Sequence, residues 1–329
     1  MFIEILLGLL RCCIITALIP VIFVVIILPF FSAFFLPTIR SIHILPQFPT
    51  TTNDGLWKCV DERSGKIGVW HILPSSLSLH YRKNGIQPSD EEMAEQLARD
   101  DNRVILYAHG NSFDRTMEHR VHLYNVLAKL DFHIIAFDYR GYGDSEGSPT
   151  EEGIVSDTRT MYEYVKAQVG QKTIFVWGHS MGTGVSTKVV MDLSMEGSPP
   201  RGLILESPFN NLHDAIVNHP LFIIFCWMNE FFVQNFLMKP LNRVGLHMET
   251  DARIANVTCP ILILHAQDDE TLPVKLGRRL RDSALTANRT VDYVEFEASR
   301  RFGHKYIHKA KELPEVVRSF IRKCDVMAS

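Results

Sequence analysis

Short, uninterrupted apolar runs recur along this chain, each followed by a longer segment with helical spacing. That alternation limits the fold more than any other feature. The runs are "RVILYAH", "FHIIAFD", "TIFVWG", "GLILES", "ILILHA" and "VDYVEF". Between them lie "MEHRVHLYNVLAKL", "IVSDTRTMYEYVKAQV", "SMGTGVSTKVVMDLSM" and "VKLGRRLRDSAL", and "PEVVRSFIRK" closes the chain with Pro314 suited to a first helical turn. Strands that are apolar on both faces belong to a mostly parallel sheet with helices packed on either side. Upstream, "KIGVWHIL" alternates loosely and reads as a further strand. Residues 74–102 read as a loop and a charged helix, "PSDEEMAEQLARDD", with Asp90 as a candidate N-cap.

The remaining global properties mainly exclude. A length of 329 residues suits one large domain with additions, or two small ones. A formal net charge of −3 provides no basic surface for nucleic acid. Neither a Gly-x-Gly-x-x-Gly nor a Gly-x-x-x-x-Gly-Lys loop follows any run, so no nucleotide cofactor is expected. The 6 cysteines are too few for a disulfide framework and lack zinc-ligand spacing. His119 and His122, in "HRVH", have metal-like spacing but no third ligand, so no metal is expected either.

The N-terminus follows different rules. Cys12 to Leu36 carries no charge, and roughly 20 apolar residues suffice for a helix to cross a bilayer. A buried core helix fits less well, because Ile, Val and Phe occupy every face. A cleaved signal peptide fits less well too, because the run is long and no small-x-small site follows it. Residues 1–40 are therefore expected to be a single-pass membrane anchor, spanning at about 12–36, with Pro20 and Pro29 as points of bending. Arg11 and Arg40 flank it almost evenly and leave orientation open. Residues 41–66 form a Pro-rich connector, and 67–329 the catalytic domain. Sequons at Asn256 and Asn288 become informative if that domain is lumenal.

One stretch interrupts the alternation. Residues 210–255 are rich in Phe, with Trp227, Met228 and Met238. They read either as ordinary core helices or as an apolar helical cap over the C-terminal sheet edge, where open α/β sheets bind ligands.

The chemistry centres on "VWGHSMGTG". Gly178-His179-Ser180-Met181-Gly182 fits Gly-x-Ser-x-Gly between a strand and a helix, a strained turn that exposes a serine hydroxyl at a helix N-terminus. Serine needs a base, and this architecture orders the partners Ser, acid, His. His304, in "FGHKYIHK", is the expected base; His308 lies one turn further on, facing solvent or a neighbour. Asp268 and Asp269 both follow the "ILILHA" run. The pattern Asp-x-x-apolar-Pro favours Asp269, leaving Asp268 to bond its own loop backbone. Met181 and Asn111, the latter in "HGNS", are the expected backbone donors of an oxyanion hole. His179 should point into the fold. Arg115, His119 and Arg120 follow the oxyanion loop and are candidates to meet a phosphate head group.

Together, Ser180, Asp269, His304 and "HGN" resemble the α/β-hydrolase superfamily. "IGVWH", "EHRVHLY", "FDYRGYGDSEGSPTEEG", "LILESPF", "CPILILHAQDD" and "HKYIHKAKELP" narrow the resemblance to the lysophosphatidylserine and monoacylglycerol lipase family, from about Ile67 to the end. It implies a single-pass serine hydrolase of the endoplasmic reticulum membrane with a lumenal catalytic domain. It also implies cleavage of fatty acyl esters of lysophosphatidylserine and monoacylglycerols, and a triad on Ser180, Asp269 and His304. The chain departs from the family at Phe302-Gly303 and in the length of the segment before them, which bears on substrate access. Two other functions fit parts of the sequence: a thioesterase acting on acylated protein cysteines, and a non-catalytic hydrolase-fold scaffold. The filled triad positions argue against the scaffold.

Overall fold

The computed structural model describes residues 52–53, 65–99, 102–169, 174–220, 222 and 229–328. The expected membrane anchor and most of the connector lie outside them. Among the described residues no helix is long and apolar enough to cross a membrane.

The apolar runs form strands β3 (Val104–Ala108), β4 (His133–Phe137), β5 (Ile174–His179), β6 (Gly202–Glu206), β7 (Ile261–Ala266) and β8 (Val291–Phe296). All six pair in parallel, in the order β4-β3-β5-β6-β7-β8. β2 (Val69–Ile72) adds to β4 antiparallel, and the short β1 (Thr52–Asn53) adds to β2. Every residue of β3 to β7 is buried, as strands covered on both faces require. β8 is half-buried at the sheet's edge, where Glu295 pairs with Arg278 and Asp292 with Lys323. Charges of this kind discourage edge-to-edge pairing with another chain. This is the α/β-hydrolase architecture, with a mostly parallel sheet.

Five longer helices follow the strands: α3 (Glu118–Ala128), α4 (Glu151–Val169), α5 (Met181–Met195), α10 (Val274–Thr286) and α11 (Leu313–Ala328). On one side, the rings of Trp177, Phe175, Phe320, Tyr124 and Phe132 fill a common core with Leu127, Leu313 and Ile321. Ahead of β3 are α1 (Ser75–Lys83) and α2 (Asp90–Arg99). Residues 74–102 therefore hold two helices where the sequence suggested one. α2 is capped by Ser89, not Asp90. The Glu92 amide donates to Ser89 Oγ at 3.2 Å and the Ser89 amide to Glu92 Oε2 at 2.8 Å, a reciprocal capping box.

Strand order reverses at β3, whose neighbours β4 and β5 lead to opposite halves of the sheet. The connections after β3 and β5 run to opposite sides there, the place at the carboxyl edge where open α/β sheets bind ligands. Between β6 and β7 the chain forms α6 (Leu212–Val217), α7 (Glu230–Phe232), a π-helical turn (Val233–Met238), α8 (Lys239–Arg243) and α9 (Thr250–Ile254). Residues 221 and 223–228 lie outside the description. The two ends of this insertion meet where the Asp251 amide donates to Asn210 O at 2.7 Å. Its return path is fastened to α4 by Glu151, which accepts the amides of His247 and Met248 and pairs with Arg253.

Candidate active site

Ser180 stands between β5 and α5 with φ 54° and ψ −121°. A side-chain-bearing residue seldom adopts that conformation, and it persists only where the surroundings enforce it. Close packing of the helix start does so here. A Cβ on Gly182 would lie 2.1 Å from Ala108 O, and one on Gly178 would lie 2.4 Å from Gly182 O. The Ser180 amide donates to Glu206 O at 3.0 Å, fixing the turn to the next strand. The hydroxyl thus sits at the N-terminus of a helix of 15 residues, whose dipole favours negative charge.

The sheet brings the two expected partners to it. His304 Nε2 is 2.9 Å from Ser180 Oγ, and His304 Nδ1 is 2.7 Å from Asp269 Oδ2. With neutral imidazole, Nδ1–H donates to the carboxylate and Nε2 accepts the serine proton. Burial alone would raise the Asp269 carboxyl. The facing His304, together with His265 whose Nε2 is 3.3 Å from Asp269 Oδ2, more than reverses this and holds the group below the usual carboxylate range. Asp269 therefore stays ionised. Its other oxygen accepts the amides of Thr271 and Leu272, both at 2.9 Å, so the turn itself aims the carboxylate.

Asp268 was expected to bond its own loop. It instead reaches across to the base, with the Gly303 amide donating to its Oδ2 at 2.9 Å. His179 points into the fold, as its position implied, and Nε2–H donates to His304 O at 2.9 Å. Burial, then the nearby His304, lowers its pKa, so the ring is neutral. The Ser207 hydroxyl approaches the same carbonyl at 3.4 Å from a residue with φ 50°. The base is therefore fastened on both sides of its Cα, by Asp268 before it and by His179 and Ser207 after it. Sequence reasoning missed Asp268 and Ser207 here, because the contacts join segments far apart in the chain.

Met181 begins α5, where a helix N–H has no intrahelical partner. Asn111 lies in the loop after β3, with its side chain held by Tyr142, whose hydroxyl donates to Asn111 Oδ1 at 2.7 Å. A Cβ on the preceding Gly110 would lie 3.1 Å from Ser180 Cβ, which shows how closely this loop approaches the serine.

The expected head-group residues are committed elsewhere. Arg115 is buried and paired with Asp138 and with Asp144, its Nη1 lying 2.6 Å from Asp144 Oδ1. Arg120 is 2% exposed and donates to main-chain carbonyls. His119 is buried against the His179 ring, and burial and then the Arg120 charge push its pKa down to about 3. Neutral or already engaged, none of the three presents a free charge to a phosphate. His308 is buried and stacks on His122 at 5.4 Å rather than facing solvent. No cluster of His, Cys, Asp and Glu among the described residues is arranged to hold a metal.

The insertion between β6 and β7 adds a residue that no motif announced. His219, just beyond α6, lies within electrostatic range of His304 and Asp269, and burial, then His304, lowers its pKa.

This arrangement can perform nucleophilic acyl transfer, and known proteins agree with it. Residues 99–247 match the family described as serine aminopeptidase, S33. The chain is 38% identical over 265 residues to lysophosphatidylserine lipase ABHD12 of Danio rerio, covering 79% of this chain and 68% of that protein. It is 38% identical to the Mus musculus protein of that name, covering 79% and 64%. It is 34% identical to human Protein ABHD12B, covering 92% and 81%. The chain thus spans about two thirds of the length of the first two. Among solved structures, an esterase of Pyrococcus furiosus, Pf2001, superposes with a TM-score of 0.60 at 17% identity, covering 88% of this chain and 96% of that one. Est1E of Butyrivibrio proteoclasticus does so at 0.56 and 16%, covering 79% and 96%. At such identities these two speak for the fold alone. The agreement with the vertebrate proteins in sequence, over most of the chain, goes further: the chain belongs to the ABHD12 family of serine ester hydrolases.

Proposed function

We propose that the protein hydrolyses fatty acyl esters of lysophosphatidylserine, and of monoacylglycerols, at Ser180. The observation that carries this reading is the unbroken relay from Ser180 Oγ through His304 to the ionised Asp269. His304 Nε2 takes the hydroxyl proton as Oγ attacks the ester carbonyl. Negative charge on the carbonyl oxygen faces the amides of Met181 and Asn111 and the start of α5. The bond to the glycerol oxygen breaks as His304 returns the proton to that oxygen. Water, activated by the same nitrogen, then attacks acyl-Ser180 and releases the fatty acid. Asp269 keeps the imidazole in the required tautomer and stabilises its cation.

The cap lies between β6 and β7, and its exposed Phe231 and Phe236 suit an amphiphilic substrate. We further propose that residues 12–36 anchor the chain in the endoplasmic reticulum membrane, with the catalytic domain on the lumenal side. Full-length protein in membranes, supplied with lysophosphatidylserine, should release fatty acid. Ser180→Ala should reduce the rate by at least about 10³-fold while leaving the fold unchanged. Equal turnover by the two would refute the mechanism.

A further inference from the structure

Arg120 is one of the more deeply buried charges in the protein, and no carboxylate shares its hydrogen bonds. Among the described residues, three of its hydrogen bonds end on carbonyls of the loop after β3. Nη2 donates to Gly110 O at 3.2 Å and to Ser112 O at 2.8 Å, and Nη1 donates to Asp114 O. Arg115, five residues earlier in the chain, behaves differently and spends its charge on two aspartates. We infer that Arg120 is a positioning residue that aims the Asn111 donor of the oxyanion hole. The inference rests on the proposed acyl transfer at Ser180.

A planar trans peptide points its C=O and its N–H in opposite directions. The carbonyl of Gly110 and the amide of Asn111 belong to one such unit, so whatever fixes the first fixes the second. Gly110 O accepts from Arg120 Nη2 on one side and from His109 Nδ1 at 2.7 Å on the other. The opposite face of the unit, carrying the Asn111 amide, is thereby turned away from the guanidinium. Gly110 itself passes so close to Ser180 that a Cβ would stand 3.1 Å from the serine's own. Tyr142 meanwhile holds the Asn111 side chain.

A second observation is independent of this peptide. Phe113 has φ 59°, a left-handed conformation that bulky residues avoid. The carbonyls on either side of it, those of Ser112 and Asp114, are the other two that Arg120 grips. One guanidinium, planar and rigid, thus holds the alternate carbonyls of Gly110, Ser112 and Asp114 on a turn that its own sequence disfavours. A lysine has no such fork. Donors aimed in advance at a developing oxyanion need no reorganisation during reaction, which is where such groups have their effect on rate.

The test uses the full chain with Arg120→Met and Arg120→Lys. Circular dichroism would establish the folded fraction of each, and rates would be expressed per folded molecule. With a slowly deacylating ester labelled with ¹³C at its carbonyl, infrared difference spectra read the polarisation of the acyl-Ser180 carbonyl directly. We expect Arg120→Met to lower kcat by about 10- to 100-fold with KM within about twofold. Its acyl carbonyl band should move to higher frequency, toward that of an unpolarised ester. Arg120→Lys, which keeps the charge but loses the fork, should fall between, and it carries the same readout if the methionine variant does not fold. A merely structural staple would lower thermal stability and leave band and kcat at wild-type values; that result overturns the inference. Absence of an acyl-enzyme in the wild type would instead overturn the reading on which the inference rests.

Discussion

Glu206 shows how a single buried group couples the site to its surroundings. Its backbone carbonyl holds the Ser180 amide, while its side chain accepts the Trp177 indole N–H at 2.9 Å in a fully covered position. Burial pushes this carboxyl from its ordinary value of 4.5 up to about 7, and the Trp177 bond offsets only part of that. The folded chain therefore binds the proton more tightly than the unfolded chain. Stability contributed by the protonated group is present below about pH 4.5 and is lost as pH rises toward about 7. Glu206→Gln keeps an acceptor for Trp177 and has no charge to bury. Its stability relative to wild type should improve by about 2 kcal/mol between pH 5 and pH 8 in urea denaturation, and a pH-independent difference would contradict this assignment. Residue-scale roles were only partly legible in the sequence. Ser180, Asp269 and His304 stood out because chemistry demands residue type and chain order together. Arg115 and Arg120 did not, because an arginine beside a loop reads the same whether it faces solvent, a carboxylate or three carbonyls. Asp268 and Ser207 gained meaning only when the sheet placed them beside His304.

At the scale of elements, legibility followed burial. The strands from β3 to β7 announced themselves because both faces are covered, leaving no polar alternation to confuse them. Helix α1 passed unnoticed because it buries only Tyr81, and "SSLSLHYRK" carries no apolar stripe. The cap of α2 was one residue off, although Ser89-x-x-Glu92 was present as a signal. The contact between β3 and α5 shows why elements here cannot shift independently. Gly182 lets the first turn of α5 press against Ala108 and His109, and that contact seats Ser180 beside the oxyanion loop. Gly182→Ala would force a Cβ into backbone, not into a side chain able to move aside. It should destabilise the domain by about 3 kcal/mol and abolish esterase activity even in the molecules that remain folded. At Gly197 a Cβ would meet nothing within 4 Å, but its φ of +72° makes that site strained for another reason. Thermal melts together with activity per folded molecule would reveal whether Gly182→Ala acts through the elbow as stated.

For the whole molecule, the proposed lumenal placement makes a prediction of its own. The two sequon asparagines, Asn256 and Asn288, are exposed at the ends of α9 and α10, so either can be reached by a glycosylating enzyme. Protein expressed in animal cells should lose mass on endoglycosidase treatment, and Asn256→Gln with Asn288→Gln together should remove that change. It should also resist extraction by alkaline carbonate until residues 1–40 are deleted. An untreated mass equal to that of the bare chain would place the domain on the other side of the membrane and favour a cytosolic thioester substrate. The sheet's strand order has a consequence for the protein's own synthesis. The nucleophile follows β5, the carboxylate follows β7, and the base follows β8 at the sheet's far edge. No nascent chain that stops short of His304 contains a working site, however well its first strands have folded. With the membrane placement proposed above, the enzyme would be inert toward the bilayer it is made on until the segment after its last strand has delivered His304.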